Sequence, residues 1–140
     1  MNNSQINILN DFLNLYLVIF GIAITLFTVI YSFIVNKKEE LLKILDSINQ
    51  GNNSPLTDQK RYFTILQIKR YKAINKHLIA ITILSISLYI TSFITNRILS
   101  SYKIKLILFY GISIITIILF IYILIIIAKV IFNYKKNTKI

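Results

Sequence analysis

Side chains able to do acid–base, nucleophilic or metal chemistry are sparse in this 140-residue sequence. It has one histidine, His77, five carboxylates (Asp11, Glu39, Glu40, Asp46 and Asp58) and no cysteine. A general base or a metal ion needs partners at defined spacing, and none of the carboxylates shares such a spacing with His77. No glycine-rich phosphate loop, catalytic triad or metal motif occurs. No catalytic, cofactor-binding or metal-ligating residue is therefore assigned, no cofactor is expected, and an enzyme is not expected. His77 reads as a plain interfacial residue beside the basic segment "KAINK".

The polar residues that do form a pattern are uncharged and lie inside apolar blocks. Three blocks, Phe12–Val35, Leu78–Leu99 and Leu106–Ala128, each exceed the roughly 20 residues that carry a helix across about 30 Å of hydrocarbon. None contains proline. In the first block Asn14, Gly21, Thr25, Thr28 and Ser32 step by 7, 4, 3 and 4, which places them on one side of a helix. Lipid supplies no hydrophobic force between helices, so small residues and hydroxyls mark a packing seam. In the second block Thr82, Ser85, Tyr89, Ser92 and Asn96 step by 3, 4, 3 and 4, and Ala80, Ser87, Thr91 and Thr95 make a second seam. Ile79, Ile83, Ile86, Ile90 and Phe93 form a purely apolar face. The third block is the greasiest, with Ser113 and Thr116 in one half and Tyr122 the only polar residue from Ile117 to Ile127.

These seams predict that the Gly21–Thr25–Thr28–Ser32 face packs on the Ser85–Tyr89–Ser92 face, with close backbone approach at Gly21. The extra seam of the second span is left for a neighbouring subunit, hence an expected homo-oligomer. Serine and threonine can also bond the carbonyl four residues back along their own helix, which requires no partner helix.

The elements that carry these seams follow from charge. The net charge is +11. Nine Lys/Arg lie between the first two spans and four at or beyond the end of the third, against three (Arg97, Lys103 and Lys105) in the remaining loop. The positive-inside rule places the thirteen in the cytoplasm, with the N-terminus outside. The first block has no basic flank on its N-terminal side and no small-residue cleavage site, so it reads as a retained span of the inner (cytoplasmic) membrane rather than a signal peptide. Between the first two spans, residues 37–76 read as a helical hairpin. "KKEELLKILDSINQ" extends the first span, with Glu39 placed to pair with Lys43. "GNNSPLTDQ" breaks it, with Gly51 at a helix end and Ser54–Pro55 as cap and first residue of the next helix. The fold class is thus an all-α integral membrane protein, a single membrane domain over residues 1–140, with three transmembrane helices of which the first two extend into a cytoplasmic hairpin.

On the second hairpin helix Arg61, Lys69, Lys72 and Lys76 share a side, beside Tyr62, Phe63, Leu66 and Ala73. A basic stripe running into a span suits anionic lipid headgroups. It is too short and too near the bilayer for nucleic acid, and no nucleic-acid partner is expected. Two functional classes fit. One is a small self-associating pore-forming or membrane-perturbing protein of holin-like or toxin/defence-effector type. In span count and orientation the chain is similar to three-span phage holins, although its inner segment is longer than their short loops. The other is a membrane anchor or accessory subunit that docks a membrane or cytoplasmic protein partner through its basic hairpin.

Overall fold

A computed structural model describes residues 3–51, 54–97, 99 and 101–138. Asn52 and Asn53 of the expected helix break, and Lys139 among the C-terminal charges, lie outside the described residues. The described chain is all-α: helices α1 (Asn3–Asn49), α2 (Pro55–Arg97) and α3 (Tyr102–Thr138), with no strand among the described residues. Each is long and apolar enough to cross a membrane. At 1.5 Å per residue, the 47 residues of α1 and 43 of α2 span about 70 and 65 Å, more than twice the hydrocarbon thickness.

The turn between α1 and α2 uses the expected chemistry. Gly51 adopts φ +90°, the left-handed conformation that glycine reaches at least cost, and its N–H closes the helix end on the Ile48 carbonyl at 3.0 Å. Ser54 caps α2: its hydroxyl oxygen accepts from the Thr57 N–H at 3.2 Å, and the Ser54 carbonyl accepts from the Asp58 N–H at 3.1 Å. Pro55 occupies the first helical position, where its missing N–H costs nothing. The ion pair on the adjoining α1 segment is Lys37–Glu40 rather than the expected Glu39–Lys43.

Two compact units are present. In the unit formed by Ile22–Ala80, α1 and α2 pair as an antiparallel hairpin. α1 buries Ala23 and Ile34 and half-buries Phe27, Ile30, Leu41, Ile44 and Ile48. α2 buries Thr64, Ile68, Asn75 and Leu78. Both sets step by three, four or seven residues, the spacing that keeps one helix edge against a partner. The Phe33 and Tyr71 rings stack at 5.9 Å across the pair, which sets its register to within about a helical turn.

The other unit joins Met1–Gly21 with Ile81–Ile140. Its core comprises Leu9 and Tyr16 from α1, Ile81, Ser85, Leu88, Ser92 and Thr95 from α2, and Phe109, Ile112, Thr116 and Leu119 from α3. The α3 positions step by 3, 4 and 3. Three edges of this period meeting in one core make a helical bundle.

The turn gives the first expected outcome. Gly51→Ala forces a β-carbon into the left-handed region and should destabilise the chain by about 1 kcal/mol. Gly111→Ala should do the reverse, stabilising by up to about 1 kcal/mol, because alanine favours the helix interior and its new β-carbon meets no atom within 4 Å. Detergent unfolding followed by circular dichroism measures both.

Candidate functional site

The most constrained polar group is a hydroxyl cluster in the unit containing α3. Tyr16 is fully buried among apolar neighbours, its ring tilted against Phe12 at 6.1 Å. Its hydroxyl is hydrogen-bonded to Thr116 Oγ1 on α3. The Thr116 hydroxyl itself donates to the Ile112 carbonyl at 2.7 Å, so the Tyr16 O–H is the donor to Thr116. Ser92 on α2 is also fully buried; its hydroxyl lies beside Tyr16 without completing a hydrogen bond of ordinary geometry. Tyr16, Ser92 and Thr116 therefore bring one hydroxyl from each helix into a single apolar core. A second polar bridge, from Asn96 Nδ2 to Asn10 Oδ1 at 2.7 Å, ties α2 to α1 where both side chains reach the surface. With no carboxylate or imidazole in it, this arrangement is suited to holding three helices in register rather than to activating a nucleophile.

The seam residues are placed unevenly. On α2, Ser85 and Ser92 are fully buried, while Thr82, Tyr89 and Asn96 are half-buried. The second α2 seam is mostly outward: Ala80, Ser87 and Thr91 are exposed and only Thr95 is buried. The apolar face Ile79, Ile83, Ile86, Ile90 and Phe93 is exposed throughout.

The α1 seam departs from expectation. Asn14, Thr25, Thr28 and Ser32 are exposed, and Gly21 is half-buried with no atom within 4 Å of where its β-carbon would stand. The face that α1 covers instead is Leu9, Leu13, Tyr16 and Phe20, continuing through Ala23, Phe27, Ile30 and Ile34. Bulky side chains fill the space between helices. Thr28 meets its own need by donating to the Ile24 carbonyl at 2.9 Å, so nothing compels its burial. The same self-bonding holds for Ser85, Ser87, Thr91, Thr95 and Ser113.

In the hairpin unit, Lys69, Lys72 and Lys76 are exposed, and Arg61 is exposed and paired with Asp58 at 3.3 Å. His77 is half-buried. The apolar side chains at the far end are also uncovered: Leu42 at 61%, Leu56 at 63%, Tyr62 at 65% and Phe63 at 58% exposure. No group of three or more metal-ligating side chains occurs among the described residues.

Three residues escape a reading by polarity alone. Tyr16 and Thr116 sit at apolar-seam positions, and Asn75 is buried in the hairpin with its Oδ1 accepting no hydrogen bond. The signal that finds them is the unbroken three-four spacing of the covered positions, on which each falls. Comparison with family models, curated proteins and solved structures returns no match.

A double-mutant cycle tests the cluster. Tyr16→Phe and Thr116→Val should each destabilise the chain, with a coupling of about 0.6 kcal/mol and up to about 1.7, the range for hydrogen bonds between membrane helices. Thr28→Val should cost less, because it removes only a bond within α1. Additive losses at Tyr16 and Thr116 would mean that the two hydroxyls do not share a bond in the membrane.

Proposed function

We propose that the chain is a multi-pass inner-membrane anchor that presents a helical hairpin to the cytoplasm, with its N-terminus outside and its C-terminus inside. One observation carries this reading: α1 and α2 both run far beyond a bilayer's thickness and pair as an antiparallel hairpin in the segment that holds nine of the sixteen Lys/Arg. A chain serving only to cross a membrane has no need of this second half. The exposed Leu42, Leu56, Tyr62 and Phe63 supply apolar surface to a protein partner, since exposed aromatic residues mark interaction sites. Lys69, Lys72 and Lys76 supply charge to anionic headgroups. Arg61, already matched by Asp58, contributes less to that charge than the sequence alone implies.

A second reading, self-association with or without a pore, is favoured by the exposed face of Asn14, Thr25, Thr28 and Ser32, small and polar side chains that allow a second copy close approach in lipid.

Two measurements on one expression strain separate the readings. The sequence has no native cysteine, so single cysteines report topology directly. Ser4→Cys and Ser101→Cys should react with an impermeant maleimide on intact cells, and Gln59→Cys only after permeabilisation. Induced expression should leave the membrane potential unchanged. Labelling of Gln59→Cys from outside would overturn the cytoplasmic hairpin, and rapid loss of membrane potential would favour the pore.

A further inference from the structure

The Phe33–Tyr71 stack sets the heights of the charges in the Ile22–Ala80 unit. In an antiparallel pair with 33 opposite 71, Lys72 stands level with Ser32, Lys76 with Thr28 and Lys69 with Val35, each to within about a helical turn. Lys69, Lys72 and Lys76 therefore lie beside the last apolar turns of α1, not beyond them. Arg61 is level with Lys43, about 12 Å further along the hairpin than Lys69.

No counter-ion stands near Lys72 or Lys76. No Asp or Glu follows Asp58 in the sequence, and α1 has none between Asp11 and Glu39. Glu39 is level with residue 65, about 16 Å along the axis from Lys76. Among the described residues the ion pairs are Lys37–Glu40 and Asp58–Arg61, so Lys72 and Lys76 are unmatched.

One side of the hairpin combines these charges with apolar surface. Taking each helix's buried seam as origin at 100° per residue, Ile24 and Tyr31 on α1 and Lys72, Lys76 and Ile79 on α2 are turned in the same sense by roughly 60–120°. In an antiparallel pair, equal turning sense means the same side. All five are exposed. The Tyr31 ring is steadied by stacking on Phe27 at 6.2 Å. Ile24 and Ile79 stand about one helical turn deeper than Lys76. Cations and a phenol at one height, above isoleucines one turn deeper, match the order of groups along a phospholipid.

We propose that residues 22–80 hold one anionic phospholipid at a defined site, with its phosphate on Lys72 and Lys76, the Tyr31 hydroxyl donating to it, and its acyl chains along Ile24 and Ile79. The proposal rests on the lipid-contact reading above and sharpens it: Arg61 is excluded, Tyr31 is added, and the headgroup is drawn down beside the apolar turns of α1.

Native mass spectrometry of the purified full chain in detergent, titrated with phosphatidylglycerol, tests it. The unaltered chain should retain one phosphatidylglycerol in preference to phosphatidylcholine, and inorganic phosphate at equal concentration should not displace it. Lys72→Gln with Lys76→Gln should weaken retention roughly twenty- to thirtyfold, from about 1 kcal/mol per cation. Tyr31→Phe should weaken it about threefold. Lys38→Gln with Lys43→Gln removes the same charge from α1 and should leave retention unchanged. Equal retention of the two lipids by the unaltered chain would overturn lipid recognition altogether. A phosphatidylglycerol preference that survives Lys72→Gln with Lys76→Gln, falls equally in the α1 control, or yields to inorganic phosphate would overturn this site alone.

Discussion

Hydrocarbon offers a backbone amide no hydrogen-bond partner, and an unsatisfied N–H or C=O there costs several kcal/mol. A chain that is 56% hydrophobic and distributes its apolar residues in three long blocks must close its backbone bonds within each block. Helix is the solution, and each helix extends beyond its block on at least one side: α1 starts nine residues before Phe12, α2 starts 23 residues before Leu78, and α3 ends ten residues after Ala128. The same constraint governs the hydroxyls. Thr28, Ser85, Ser87, Thr91, Thr95, Ser113 and Thr116 each donate to the carbonyl four residues back, so they can face lipid or core without a second helix to satisfy them. Tyrosine cannot fold back in this way, because its hydroxyl stands too far from its own backbone. Tyr16, fully buried, must therefore find an oxygen on another helix, and it finds Thr116.

That difference explains how polar residues are divided among the helices. α2 turns Ser85, Ser92 and Thr95 into the core of the bundle unit, while α1 turns bulky Leu9, Tyr16 and Phe20 inward and leaves Asn14 outward. Packing volume decides the α1 face, and hydrogen-bond demand decides only the exceptional residue. In the hairpin unit the apolar seam continues with Thr64 and Asn75 inserted into it. Such insertions weaken the pair relative to an all-apolar seam, yet they limit the registers it can adopt. The exposed surface divides into a basic zone around Lys69, Lys72 and Lys76 and an apolar end around Leu42, Leu56, Tyr62 and Phe63.

Most of the architecture is legible in the sequence, because its signals are long or chemically specific. A 24-residue apolar run has one reading. Gly51 followed by Ser54–Pro55 combines a left-handed stop with a cap and a proline start, and each does its expected task. The inward face of α1 is not legible from polarity. In a helix apolar almost all round, the Leu9–Leu13–Tyr16–Phe20 edge looks like any other, and the few hydroxyls draw attention to the face that turns outward. Close approach at Gly21 fails as an expectation for a related reason: a small residue permits contact but does not attract a neighbour. The heights of the charges are hidden as well, since they depend on the register between two helices, to which the Phe33–Tyr71 contact points.

The central claim is that α1 and α2 leave the bilayer as one pair in this register, with Lys69, Lys72 and Lys76 beside the apolar end of the first span. Spin-label depth measurements in phosphatidylglycerol-containing vesicles address it most directly, with single cysteines at Thr28, Lys76 and Arg61 in the otherwise cysteine-free chain. Labels at positions 28 and 76 should report the same depth, at the headgroup boundary, and the label at position 61 should report bulk water. A label at position 28 lying about 10 Å deeper than one at position 76 would contradict it, because the two helices would then be paired in another register.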